Sequence, residues 1–132
     1  MDLKILEIAS HTENNRVIKN YTHKSKYKNP LCGDKMEISL IVENNVIKDV
    51  AYQCKSCVYC EASASLLSRK IKNKEINKIK TFISSTEKLF DDAKTNVESH
   101  WKDFKEIFHK KNLSRKECLL LPIKSLAKAL NL

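Results

Sequence analysis

The apolar positions change period along the chain, and each change marks an element. Leu3, Ile5, Leu6, Ile8 and Ala9 cluster as a short amphipathic helix requires. His11 to Lys28 is polar and carries the breaker pair Asn14-Asn15, with a short strand expected near Tyr21–Tyr27. Asn29-Pro30 punctuates the chain, because a residue before proline avoids the helical region. Met36, Ile38, Leu40 and Val42 then alternate with Glu37, Ser39 and Glu43, the signature of a half-buried strand. Asn44-Asn45 accepts positive φ and predicts a tight hairpin turn, with Val46 to Gln53 as the returning strand. From Glu61 onward the period is helical. Glu61–Lys72 forms one helix, and Ile76, Ile79, Phe82 and Ile83 form a second stripe that Leu89, Phe90 and Ala93 extend. Val97, Trp101, Phe104 and Phe108 form a third stripe, read as core packing. Ser114-Arg115-Lys116-Glu117 has the form of a capping box, but Pro122 breaks a helix begun that early. The last helix is therefore expected to start near Cys118, with Pro122 in its first turn.

This order of elements predicts an α+β fold: a small antiparallel sheet followed by helices. The 132 residues suit one domain spanning 1–132, and 42% hydrophobic content is enough for a core without disulfides. No apolar run is long enough to span a membrane. Met1-Asp2-Leu3-Lys4 lacks the basic and long apolar regions of a secretory signal, so the chain is expected in the cytoplasm with its thiols reduced.

The net charge of +9 is uneven. Residues 1–68 hold 9 basic against 8 acidic side chains, and residues 69–132 hold 16 against 8. The lysines of the second half are interspersed with acids at helical spacings. They read as solvated helix faces, and a nucleic-acid partner is not expected.

The five cysteines carry the chemistry. Cys54, Cys57 and Cys60 stand three residues apart, Cys32 lies upstream in Asn29-Pro30-Leu31-Cys32-Gly33-Asp34, and Cys118 lies far downstream. In a reducing compartment such a set binds metal or moves sulfur. Gly33, the only glycine, marks a tight turn that would aim Cys32 and Asp34 at one ion. Cys57 or a neighbour, brought back by the hairpin, gives a third ligand, and Cys118 a fourth. The carboxylate makes the set more labile than four thiolates, as suits thiols that must react. Placed at a helix start, Cys118 is expected to favour thiolate. The run from Cys54 to Cys60 also matches three of the four cysteines of a bacterial ferredoxin motif, although Glu61-Ala62-Ser63-Ala64 replaces the final Cys-Pro. Cys54 and Cys60 equally suit buried small apolar positions. His11, His23, His100 and His109 show no metal spacing.

These residues resemble a known family. Asn29-Pro30-Leu31-Cys32-Gly33-Asp34 is similar to the Asn-Pro-x-Cys-Gly-Asp signature of the U-type iron–sulfur cluster assembly scaffolds, the IscU, SufU and NifU N-terminal group. Ser56-Cys57, Ala62-Ser63-Ala64-Ser65, and Arg115-Lys116-Glu117-Cys118 with Leu121-Pro122 follow in the family's order, and His11-Thr12-Glu13-Asn14 faintly matches its amino-terminal His-x-Glu-Asn. The resemblance implies a helix-covered antiparallel sheet with its metal site at one exposed end. It implies Cys32, Asp34, Cys57 and Cys118 as ligands of Zn²⁺ or a [2Fe–2S] cluster. It further implies a cysteine desulfurase as sulfur donor, Cys118 or Cys32 as persulfide acceptor, and apo iron–sulfur proteins as recipients. Such a protein is a scaffold or sulfur carrier more than a turnover enzyme. Glu117 stands where the IscU branch has histidine, which favours the SufU-like side. Ser56 in place of glycine, and the additional Cys54 and Cys60, depart from the pattern. Two other classes stand beside this one: a ferredoxin-like electron carrier on Cys54, Cys57 and Cys60, and a structural zinc module binding nucleic acid through residues 69–132.

Overall fold

The computed structural model describes residues 2–30, 33–92 and 94–132. Helix α1 (Leu3–Ala9) is followed by strands β1 (His23–Lys28), β2 (Lys35–Glu43) and β3 (Val46–Lys55). Helices α2 (Val58–Ile71), α3 (Ile76–Ser85), α4 (Lys88–Asp91), α5 (Phe104–Ile107) and α6 (Lys116–Leu130) complete the chain. The three strands form an antiparallel meander in the order β1-β2-β3, so the α+β expectation holds.

Alternation sets which face is buried. Met36, Ile38 and Leu40 lie opposite Cys54, Tyr52 and Val50, and all but the half-buried Cys54 are buried. Helix α6 packs against β1 and β2, α2 packs against β3, and the two helices pack on each other, with α1 lying on α2. The Ser25 hydroxyl donates to the Ser125 carbonyl at 2.7 Å, tying β1 to α6 where an unpaired hydroxyl would be costly. Asn44 and Asn45 have φ of 53° and 62°, both in the left-handed region, as a two-residue primed hairpin turn requires.

Several boundaries differ from expectation. The first strand begins at His23, and the hairpin strand extends two residues past Gln53, so Cys54 lies inside β3. Helix α2 starts at Val58, three residues early, which makes Cys57 its N-cap and puts Cys60 in its first turn. Leu89 and Phe90 belong to a separate short helix, α4, and Ala93 lies outside the described residues.

The aromatic stripe from Val97 to Phe108 is not one helix. It comprises a 3₁₀ turn at Ser99–Trp101 and the single turn α5, ended by Phe108 at ψ 71°. Packing decides this. Trp101 stacks on Phe82 with centroids 4.3 Å apart, Phe104 packs on Phe82 at 4.7 Å, and Phe108 stacks on Phe90 at 5.3 Å. Burying each such ring stabilises the fold by roughly 1.5–3 kcal/mol, more than a few helical hydrogen bonds contribute in water.

Helix α6 also departs from expectation. It begins at Lys116 after a 3₁₀ segment, Lys110–Arg115, and Ser114 supplies no side-chain cap. Pro122 is the seventh residue of the helix, well past the first turn. A proline there has no N–H for the carbonyl four residues back, which belongs to Cys118.

The loop joining β1 to β2 is closed by two backbone bonds, Asn29 N–H to the Asp34 carbonyl and Gly33 N–H to the Asn29 carbonyl, both at 2.9 Å. Gly33 sits at φ +76°, and a Cβ there would meet nothing within 4 Å, so glycine is required for backbone freedom and not for space. Gly33→Ala is accordingly expected to cost about 1–2 kcal/mol in thermal unfolding, with Gly33→Asn recovering much of it because Asn tolerates this region. Equal losses for both substitutions would contradict that account.

Candidate metal and sulfur site

Three elements deliver three side chains to one point. Asp34 ends the β1–β2 loop, Cys57 is the N-cap of the 14-residue α2, and Cys118 is the third residue of the 15-residue α6. One ligand atom from each lies within 4.8 Å of the other two. In a tetrahedral zinc site with Zn–S near 2.3 Å, the sulfurs stand roughly 3.8 Å apart, so a small closure makes these three donors a ligand set. The sequence-predicted fourth member, Cys32, lies outside the described residues.

The surroundings fit a cation. Asp34 Oδ2 is buried with no hydrogen-bond partner among the described residues. An unpaired buried carboxylate oxygen costs about 1–3 kcal/mol, which a bound metal would remove. Two thiols and a carboxylate form a borderline donor set suited to zinc or to iron in a sulfide cluster. The N-terminal ends of α2 and α6 both face the site and favour anionic sulfur there.

Cys118 does not follow its helix-start expectation. It is buried, and burial together with neighbouring Cys57 and Asp34 pushes its thiol well above the usual range. A metal bound there would displace the Cys118 proton, so its binding would release protons.

Cys54 and Cys60 belong elsewhere. Neither joins the Asp34, Cys57 and Cys118 cluster: Cys60 is buried in the first turn of α2, and Cys54 is half-buried near the end of β3. The Cys54–Cys57–Cys60 run is therefore split, and among the described residues it presents no three-thiol face of the ferredoxin kind. The four histidines also stay outside the cluster. The His100 ring nitrogen Nε2 meets the Lys70 carbonyl at 2.5 Å, and His109 Nδ1 accepts from the Lys111 N–H at 3.1 Å.

The Ala62-Ser63-Ala64-Ser65 segment has a positioning role that spacing alone did not reveal. Its small side chains are buried where α2 meets its neighbours. Ser63 Oγ donates to the Leu119 carbonyl at 2.6 Å, and Ser65 Oγ donates to the His11 carbonyl at 2.6 Å. Ser68 Oγ accepts from Asn14 Nδ2 at 3.1 Å. The Ser63 bond grips α6 one residue beyond Cys118, in the stretch weakened by Pro122. The signal legible in sequence was the run of alternating alanines and serines, side chains small enough for α2 to approach its neighbours closely. Ser63→Ala removes this buried bond between α2 and α6 and is expected to cost about 0.5–1.5 kcal/mol, with weaker metal retention. Unchanged stability and retention would show that the first turn of α6 holds itself.

The sequence matches the family described as NifU-like N-terminal domain over residues 2–103. An iron-sulfur cluster assembly scaffold protein IscU from Thermotoga maritima is 32% identical over 108 residues, covering 78% of this chain and 72% of that protein. A zinc-dependent sulfurtransferase SufU from Bacillus subtilis is 31% identical over 64 residues, covering 48% of this chain and 41% of that protein. Two crystal structures share the fold. A putative iron-sulfur cluster assembly scaffold protein for the SUF system from Fervidobacterium islandicum has a TM-score of 0.89 at 23% identity, covering 98% of this chain and 96% of that one. A NifU-like protein (N-terminal) from Brucella abortus has a TM-score of 0.85 at 19% identity, covering 98% and 91%. With the family signature spanning most of the sequence and the same fold spanning nearly all of it, this chain belongs to the NifU-like N-terminal domain family.

Proposed function

We propose that the chain is an iron–sulfur cluster assembly scaffold that also accepts sulfur. The observation that carries this reading is the convergence of Asp34, Cys57 and Cys118 at two helix N-termini, with a buried Asp34 oxygen lacking a partner among the described residues. Relatives named as a cluster assembly scaffold and as a zinc-dependent sulfurtransferase support it. In this reading Cys32 joins the three to hold Zn²⁺ at rest or a [2Fe–2S] cluster as cargo. Bound metal would keep the thiols deprotonated at neutral pH.

A cysteine desulfurase is the proposed sulfur donor and apo iron–sulfur proteins the recipients. Of the two acceptor candidates, Cys118 is buried, and without metal its thiol is pushed above the usual range. Bound zinc would make either Cys32 or Cys118 available as thiolate to receive persulfide sulfur, with Asp34 the ligand that steps away. The protein works as a carrier within the cytoplasm, where its thiols stay reduced. Among the described residues no helix is long and apolar enough to cross a membrane.

Native mass spectrometry under anaerobic conditions, before and after a cysteine desulfurase with cysteine, tests this. Added sulfur, or two irons with two sulfides, is expected, with peptide mapping placing the first sulfur on Cys32 or Cys118. A single zinc that never exchanges, with no sulfur gained, would reduce the protein to a structural zinc domain.

A further inference from the structure

The outer face of the sheet carries charge in a pattern that neither folding nor edge protection explains. Lys28, Lys35 and Lys55 stand directly opposite one another across β1, β2 and β3, so three like charges share one row. Like charges so placed destabilise a sheet. The next row on the same face is Lys26, Glu37 and Gln53, with an acid in the centre. Glu37 pairs there with Lys24 at 2.7 Å and with Lys26 at 3.8 Å. Lys28, Lys35 and Lys55 are exposed and make no ion pair among the described residues. Lysines on edge strands deter pairing with other chains, which suits Lys28 and Lys55. Lys35 lies on the central strand, where no edge needs protecting.

Resting on the scaffold reading above, we infer that this lysine row docks an extended acidic segment of a protein that exchanges sulfur or clusters at the neighbouring site. Lys35 follows Asp34, and Lys55 precedes Cys57 by two residues, so the row lies at the end of the sheet that carries the Asp34, Cys57 and Cys118 cluster. Farther along the same face Ser39 and Ala51 are buried, so the face is closed there and open toward the site. The open part is a cleft of about 660 Å³ whose lining includes Lys26, Lys28, Lys35, Lys55, Glu37 and Gln53.

Dimensions and charge choose the occupant. Neighbouring strands lie about 4.8 Å apart, so the three lysines span roughly 10 Å. A single carboxylate or phosphate meets one or two of them. An extended chain carries side chains on one side about 6.6–7 Å apart, so two or three acids along it meet the whole row. The cleft sets four lysines against one glutamate, which Lys24 and Lys26 already engage, and the surplus complements an acidic segment. A nucleic acid fits less well, because three free lysines in one short row fall below the roughly 6–10 phosphate contacts behind strong duplex binding. Exposed charge pairs contribute little each and speed encounter more than they tighten it, which suits a partner that must leave after transfer.

The test titrates a fluorescein-labelled hexaglutamate peptide into the full chain with zinc bound, at low salt. Replacing the row together, Lys28→Gln with Lys35→Gln and Lys55→Gln, is expected to weaken binding about 10-fold, as three exposed pairs are lost. Lys35→Glu alone, which leaves both edge lysines in place, should weaken it at least about 3-fold. Lys78 and Lys80 on α3 and Lys94 beyond α4 are also exposed. Their joint replacement by Gln removes the same charge and should change binding less than about 2-fold, since distant charges are screened. The row variant should keep its zinc and unfold no more easily than the wild type, because a like-charge row has been relieved. Equal weakening in the two triple variants would reduce the effect to net charge and overturn the inference. Tighter binding of a single-stranded oligonucleotide of matched charge, lost with the same row, would also overturn it and assign the strip to nucleic acid. The titration needs no sulfur donor, so its failure leaves the scaffold reading intact. A chain that binds the peptide through the row but gains neither sulfur nor a cluster in the mass spectrum loses the scaffold reading, and with it the exchange role inferred for the strip.

Discussion

Replacing Cys57 by alanine is expected to weaken zinc binding by at least about 100-fold, because loss of a ligand exceeds the 10–100-fold typical of losing its supporting partners. Cys118→Ala should act alike. Cys54→Ala and Cys60→Ala should change zinc affinity little, since neither belongs to the cluster of Asp34, Cys57 and Cys118. Competition against a chromophoric chelator measures all four. The reverse pattern, with Cys54 and Cys60 sensitive and Cys57 not, would move the metal to the other pair and remove the basis of the proposed function.

Asp34→Ala separates stability from binding at the same site. The metal-free protein should become more stable by about 1 kcal/mol, because a buried carboxylate oxygen without a partner among the described residues is removed. Zinc affinity should fall in the same variant. Opposite signs in apo unfolding and metal titration would identify Asp34 as a residue kept for its ligand, at a cost to the empty fold. A carboxylate placed there only for structure would lower both together.

The second large effect concerns the core that carries the site. Trp101→Ala is expected to destabilise the fold by about 3–5 kcal/mol, since the ring is 2% exposed and stacks on Phe82 at 4.3 Å and 8°. Denaturant unfolding measures it, and a loss under about 1 kcal/mol would mean the aromatic cluster closes over the gap. The residue lies in a 3₁₀ turn among short helical pieces, so its contribution is tertiary packing with little from regular backbone structure. Phe82→Ala should be strongly non-additive with it, because each ring is the other's stacking partner.

Much of the fold was legible because its signals are local. Alternation from Met36 to Val42, the Asn44-Asn45 turn and the returning strand needed only side-chain period and the tolerance of asparagine for positive φ. Gly33 as the pivot of a tight loop was legible for the same reason. Cys57 and Asp34 as partners of Cys118 were implied by the resemblance of short motifs scattered along the chain, and the fold brings these three together.

Other features depended on neighbours far away in sequence. The aromatic spacing from Val97 to Phe108 suits a helix, yet Phe82 and Phe90 draw those rings inward from short irregular turns, because burying rings outweighs a few backbone bonds. Pro122 reads as a helix-start residue, yet the first turn of α6 is held by a serine more than fifty residues upstream. Cys118 as a thiolate followed from its helix position alone; burial and two acidic neighbours reverse that in the metal-free protein.

The sequence by itself determined which residues can do this chemistry: thiols, one carboxylate and one glycine pivot, in an order that marks the family. Only the tertiary structure decided how five cysteines are divided. Spacing treats Cys54, Cys57 and Cys60 as one run. The change from strand to helix at Lys55–Val58 turns Cys57 toward Asp34 and Cys118 and leaves Cys54 and Cys60 outside that cluster. Side-chain direction follows the backbone element, with period two before the turn and 3.6 after it, and that switch is fixed by packing of α2 against β3 and α6.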